Sequence, residues 1–259
     1  MSFDALLERE IRDFAFPLNV YAELLRRETG GVDFLHFGFF VTPGERMNVA
    51  QERATEWLFA RLPTPCRALE IGIGLGITLD RLAGAGFAVH GLTPDAGQIR
   101  IARARNAALT LTEARFEDFD AAGPFDLLLF QESSQYIDSH RLWRQASRLL
   151  SAPGRVMVLD EFRCGGSGDL HALDEFLAAA GETGLVLEEQ ADLSAAAAPT
   201  VDHLLAAVER HWSALLSLPG VSGAALEELQ ASNRRYKSWY ADGSYRYLFL
   251  DFSRRPAAS

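Results

Sequence analysis

Arg67-Ala68-Leu69-Glu70-Ile71-Gly72-Ile73-Gly74-Leu75-Gly76 is the stretch on which the fold of this 259-residue chain turns. A short apolar run carries one acidic residue, passes into three glycines at alternate positions, and continues into the helical pattern Ile77 to Leu82. That order of residue types describes a buried parallel strand, a tight turn and a helix N-terminus. Glycine is needed where the backbone takes a positive φ or approaches a ligand closely. The spacing is G-x-G-x-G rather than G-x-G-x-x-G, and no Lys-Ser/Thr pair follows as in a phosphate-binding loop. An acidic side chain at the strand end suits a cation and repels a phosphate.

Outward from this turn, strand and helix patterns alternate. Expected strands are Ala68–Ile71, Ala88–Leu92, Leu109–Thr112, Phe125–Phe130, Arg155–Glu161, Leu185–Gln190 and Tyr245–Phe252, with helices between the first six. Such alternation predicts a doubly wound, mostly parallel sheet with right-handed crossovers. A ligand then sits beyond the C-terminal strand ends, near the point where strand order reverses. Upstream, apolar positions at helical spacing over residues 4–28 are interrupted at Pro17, which predicts two short helices. Val32–Val41 is an aromatic loop or a short strand. Thr42-Pro43-Gly44-Glu45 starts a helix that runs to about Arg61, ahead of Pro63 and Pro65.

The alternation breaks before the last strand. Two helical patterns, Val201 to Leu218 and Gly223 to Tyr240, fill a connection far longer than compact domains ordinarily use. This predicts a helical lid over an acceptor site, formed together with residues 4–40. The expected organisation is one compact domain: lid helices and aromatic loop over 1–45, a ligand-binding core over 46–192, a helical insertion over 193–243, and a final strand and tail over 244–259.

Composition narrows the function. A net charge of −10, a single lysine (Lys237) and scattered arginines disfavour nucleic acid as a partner. Cys66 and Cys164 lack metal-ligand spacing, as do the six histidines, so no metal site is expected. Two isolated thiols, an N-terminus without a basic-then-apolar leader and no apolar run of membrane-span length together predict a cytoplasmic protein off the membrane. The oligomeric state is not legible.

The acidic strand end and G-x-G-x-G turn resemble motif I of class I S-adenosylmethionine (SAM) methyltransferases. That resemblance implies SAM as cofactor and a Rossmann-like, seven-stranded, mostly parallel sheet with an antiparallel last strand. It implies that Glu70, Gly72, Gly74 and Gly76 hold the cofactor. Gly91-Leu92-Thr93 with Gln98 resembles the G-L-T-x-x-x-x-Q segment of cyclopropane fatty-acid and mycolic-acid synthases. There Thr93 and the Gln98 amide would serve the ribose, in the place where most class I enzymes have a carboxylate. Asp95 is expected to cap the next helix. In Ala114-Arg115-Phe116-Glu117-Asp118-Phe119 the resemblance implies that Phe116 faces adenine and that Glu117 or Asp118 accepts its amine.

Phe125-Asp126, the apolar run after it and Gln131-Glu132-Ser133 resemble motif IV of the sterol, tocopherol and sugar methyltransferases. Gln131 is counted with the cofactor site. Gln135-Tyr136 stands where cyclopropane synthases carry a Glu-His pair that holds bicarbonate, which disfavours cyclopropanation. Asp160, at the end of the fifth strand, is either a general base or a helix cap or hydrogen-bond partner for a loop. Tyr136, and His36 in the segment Leu35-His36-Phe37-Gly38, are further catalytic candidates by analogy; His140 has a similar standing. The resemblance spans about His36 to Phe252. It implies methyl transfer to an oxygen, nitrogen or carbon of a small-molecule acceptor in secondary metabolism. A lipid-modifying cyclopropane-type enzyme and a noncatalytic SAM-binding regulator are the alternatives.

Overall fold

The structure is a computed structural model, and residues 2–120 and 123–254 are described. It divides into two compact units. One contains the residues up to Leu62 with Ser194–Asp242; the other contains Pro63–Leu193 with the residues from Gly243 on.

The second unit holds the sheet. Its strands are β1 (Arg67–Ile71), β2 (Ala88–Thr93), β3 (Thr110–Glu113), β4 (Phe125–Gln131), β5 (Leu150–Arg163), β6 (Leu185–Asp192) and β7 (Tyr245–Arg254), in the order β3-β2-β1-β4-β5-β7-β6. Strands β1 to β5 pair in parallel, and β7 runs antiparallel between β5 and β6. Strand order reverses between β1 and β4, so the turn after β1 lies at the switch point. One face of the sheet buries Leu69, Leu128, Val156 and Phe252 against Trp143 and Phe176. These belong to helices α6 (Ser139–Leu149) and α7 (Leu173–Glu182). The other face packs Val89 and Leu111 against α4 (Ile77–Gly84) and α5 (Ala96–Arg105) through Leu79, Ile99 and Ala102.

Two expectations need correction in this unit. No helix joins β3 to β4; among the described residues that connection holds only a 3₁₀ turn, Phe116–Asp118. Its core-directed rings, Phe116 and Phe119, bury themselves in the same cluster as α6, so the turn supplies the packing a crossover helix would have given. Strand β5 begins five residues before Arg155, because Phe125 pairs with Leu150 and Leu127 with Arg155, and the Pro153-Gly154 segment bulges out between the two pairings.

The helical unit consists of α1 (Phe3–Asp13), α2 (Leu18–Thr29), α3 (Met47–Phe59), α8 (Ser194–Ala197), α9 (Pro199–Leu215) and α10 (Gly223–Asp242). Its core joins Val20 and Leu24 of α2, Leu204, Val208 and Leu215 of α9, and Leu226 and Leu229 of α10. Glu28 adds ion pairs to Arg210 and His211, both at 2.5 Å. Helix α3 starts at Met47 and not at Thr42: Gly44 takes φ +76° and keeps the Pro43-Gly44 segment in a turn. Val32–Val41 is a loop. Among the described residues no helix is long and apolar enough to cross a membrane.

Candidate functional site

The site is assembled at the C-terminal ends of β1, β2, β4 and β5. Strand β1 delivers Glu70 into a buried position and hands over to the glycine turn. Gly72, Gly74 and Gly76 all take positive φ, at +76°, +51° and +80°. A Cβ at Gly72 would lie 2.4 Å from Ser133 Cβ, and one at Gly76 2.6 Å from Ala102 Cβ. Both the φ values and the space therefore require glycine at Gly72 and Gly76.

Two polar atoms beside this turn are buried without a protein partner: Glu70 Oε2 and Gln131 Nε2. Burial holds the Glu70 carboxyl well above the usual carboxylate range. Gln131 closes β4, and its Oε1 accepts a hydrogen bond from Thr78 Oγ1 of α4 at 3.3 Å. An unfilled acceptor and an unfilled donor of this kind are rare in folded proteins and point to a ligand. On β2, the Thr93 hydroxyl donates to Gln98 Oε1 at 2.8 Å, and both side chains are buried. Asp95 caps α5, its carboxylate accepting from the Gln98 backbone N–H at 2.9 Å.

The end of β4 is the most constrained segment. Glu132 is the one non-glycine residue with positive φ, +52°, among the described residues. Its carboxylate accepts from the Tyr247 hydroxyl at 2.6 Å. Burial, and then the nearby Glu132 carboxylate, hold the Tyr247 phenol well above its ordinary value. Ser133 Oγ donates to the Ile71 carbonyl at 2.5 Å and so ties this turn to the end of β1. Asp160 is fully buried and accepts from Ser134 N, Ser134 Oγ and Gln135 N on one oxygen and from Glu161 N on the other. Burial raises its carboxyl, and these hydrogen bonds oppose the rise. The four hydrogen bonds that Asp160 accepts come from the turn and from its own strand. Tyr136 is 80 % exposed. Nearby protein that withholds water, followed by the carboxylates of Asp160, Glu132 and Glu161, pushes its phenol up to about 12.

His36 lies in the helical unit, buried, with Nδ1 against the Phe37 carbonyl at 2.8 Å and Nε2 against Thr55 Oγ1 at 3.1 Å. Both ring nitrogens thus have a protein partner. Phe116 is 2 % exposed and meets Phe130 edge to face at 5.2 Å. Its ring belongs to the core cluster. Glu117 is half-buried and Asp118 exposed on the same 3₁₀ turn. His140 is exposed and pairs with Glu182 at 3.5 Å. Conversely, Glu132, Tyr247 and His171 were not singled out from the sequence. Glu132 carried a signal, an acidic residue straight after a buried strand; Tyr247 and His171 reach the site through strand order and loop path, which no local motif encodes.

Residues 69–158 match a protein family described as a methyltransferase domain. The whole chain is similar in fold to several solved structures. A Galdieria sulphuraria protein provisionally assigned as a sarcosine dimethylglycine methyltransferase superposes with a TM-score of 0.78 at 16% identity, over 91% of this chain and 98% of that one. The cyclopropane synthase MmaA2 of Mycobacterium tuberculosis gives 0.76 at 15% identity, over 98% of both chains. The geranyl diphosphate C-methyltransferase of Streptomyces coelicolor, solved with Mg2+, geranyl-S-thiolodiphosphate and S-adenosyl-L-homocysteine, gives 0.71 at 19% identity, again over 98% of both. The matched domain, the switch-point glycine turn and the placement of β7 between β5 and β6 agree with a class I methyltransferase fold.

Proposed function

We propose that the chain transfers the methyl group of SAM to an oxygen, nitrogen or carbon of a small-molecule acceptor in secondary metabolism. The observation that carries this is the pair of orphaned atoms beside the glycine turn, Glu70 Oε2 and Gln131 Nε2. One calls for a cationic donor and the other for an acceptor, and an α-amino-acid end group supplies both. SAM has such an end; a dinucleotide does not. When bound, SAM would supply an electrophilic methyl on a sulfonium centre for attack by an electron pair of the acceptor, with S-adenosylhomocysteine as the leaving group.

The residues of this chain bind, orient and handle protons. Glu70 and Gln131 anchor the amino-acid end. Gln98, fixed by Thr93, presents its amide to the ribose hydroxyls. Glu117 or Asp118 accepts from the adenine amine. Glu132, its carboxylate steadied by Tyr247, holds or removes a proton on the acceptor. Tyr136 stays protonated at neutral pH and serves as a hydrogen-bond donor. Asp160 acts on the turn and not on the acceptor. Holding the two reactants in line is the main catalytic contribution of such a site. The acidic net charge supports a small molecule over nucleic acid, and two free thiols support a cytoplasmic setting. Fold relatives named for small acceptors, geranyl diphosphate among them, support the acceptor class and leave its identity open. Gln135-Tyr136 in place of a Glu-His pair disfavours ring formation.

Calorimetry with S-adenosylhomocysteine and with NAD tests the cofactor assignment: binding of the first and not the second is expected. Acceptor libraries read by S-adenosylhomocysteine release then test transfer. Tight NAD binding with no S-adenosylhomocysteine binding overturns the proposal.

A further inference from the structure

We propose that His171 and Asp160 are positioning residues for Glu132 and act through Ser134; this rests on the role given to Glu132 above. A glycine would hold the turn after β4 at φ +52° without strain, yet a glutamate occupies it. Strained backbone of this kind persists only where its surroundings over-determine it.

The surroundings do so at Ser134, which is fully buried. Its backbone N–H and its hydroxyl both donate to Asp160 Oδ2, at 2.9 and 2.6 Å. Its carbonyl faces His171 Nε2 at 3.0 Å and accepts from Ile137 N at 3.1 Å. All of its polar atoms are therefore engaged, two residues from the strained position. His171 is fixed in turn. Its own carbonyl accepts from Arg163 N at 2.9 Å, and its ring lies 5.1 Å from that of Phe176. Because a carbonyl can only accept, His171 must carry a hydrogen on Nε2. The loop between β5 and α7 thus reaches across to brace the end of β4. The outcome of that bracing is a Glu132 carboxylate placed on the Tyr247 hydroxyl.

The Tyr247–Glu132 bond gives a readout that stability alone does not move. The protein is labelled with 3-fluorotyrosine, and Tyr247→Phe assigns the Tyr247 fluorine resonance. Glu132→Gln shifts that resonance and so calibrates it. His171→Ala is expected to shift or broaden it in the same sense, and His171→Gln, which restores an N–H donor, to return it towards the parent position. Asp160→Asn, which loses an acceptor for Ser134, is expected to behave like His171→Ala. His171 is only half-buried, so its variants decide the matter if Asp160→Asn does not fold. A Tyr247 resonance unmoved in folded His171→Ala overturns the proposal. The measurement needs neither cofactor nor acceptor. Failure of the Glu132 role is read separately, as a Glu132→Gln variant that transfers methyl at the parent rate.

Discussion

Glu70 is placed under opposite demands in the free and the loaded protein. Burial raises its carboxyl well above the usual value of 4.5, so the free protein favours the protonated form. The stability linked to that proton is complete below the unfolded carboxyl range and is lost as pH rises through the folded value. A cationic amino group at Oε2 reverses the preference, so cofactor binding releases a proton and strengthens with pH. Glu70→Gln removes both effects. The cofactor-free variant is expected to melt above the parent at pH 8, with the difference shrinking towards pH 4. Its affinity for S-adenosylhomocysteine falls by about 1.5–3 kcal/mol, the scale of a hydrogen bond to a charged group. Calorimetry in buffers of different ionisation enthalpy reads the proton directly, and equal pH dependence in parent and variant would dismiss the linkage. Gln98→Ala is expected to cost about 1 kcal/mol of S-adenosylhomocysteine affinity, one net hydrogen bond; an unchanged dissociation constant would remove Gln98 from the ribose site. Both residues stand out in the sequence because each lies in a short motif at a strand end. The burial of Phe116 and the ring contacts of His36 were not legible, because a motif reports residue type and place, not burial or which neighbours meet a ring nitrogen.

At the scale of elements, the alternation of strand and helix was readable because apolar runs and turn residues are local signals. The missing helix between β3 and β4 was not, since a helix and a 3₁₀ turn can bury the same two phenylalanines. Nor was the brace on β4, whose members come from β5, β7 and the loop before α7. The contact between two turns is the part of the site most open to test. Ser133 leaves no room for a Cβ on Gly72, which would sit 2.4 Å from the Ser133 Cβ. Gly72→Ala meets that clash and a left-handed φ together, and is expected to cost about 1–3 kcal/mol of stability from the backbone strain alone. Ser133→Gly removes the opposing Cβ and the Oγ bond to the Ile71 carbonyl. In the double variant the clash is gone while the φ penalty stays, so its loss should be smaller than the sum of the single losses. A thermal or urea double-mutant cycle measures the coupling. Strict additivity would mean that the two turns do not press on each other.

At the scale of the molecule, the chain passes twice through each of its compact units. Its helical unit is built from segments 132 residues apart in sequence, Leu62 and Ser194 being their inner limits. Each unit has its own core: Val20, Leu204 and Leu226 in the helical one, Leu69, Leu128 and Phe252 in the other. The parallel central strands are buried and bonded on both sides, whereas α9 and α10 present long exposed faces to water. Segments with exposed backbone and fewer shared contacts open at lower free energy, and substrate-handling covers are drawn from such segments. Hydrogen exchange is therefore expected to be faster in α9 and α10 than in β1 and β4 of the free protein. If the insertion with residues 4–40 covers the acceptor, its exchange slows when S-adenosylhomocysteine and an acceptor are bound together, beyond any slowing caused by S-adenosylhomocysteine alone. The second ligand is the discriminating step, because cofactor binding by itself would stiffen the Gly72–Gly76 turn whether or not a cover exists. Unchanged exchange over residues 199–240 on adding the acceptor would make the insertion a structural element and leave the choice of acceptor to the strand ends around Glu132 and Tyr136.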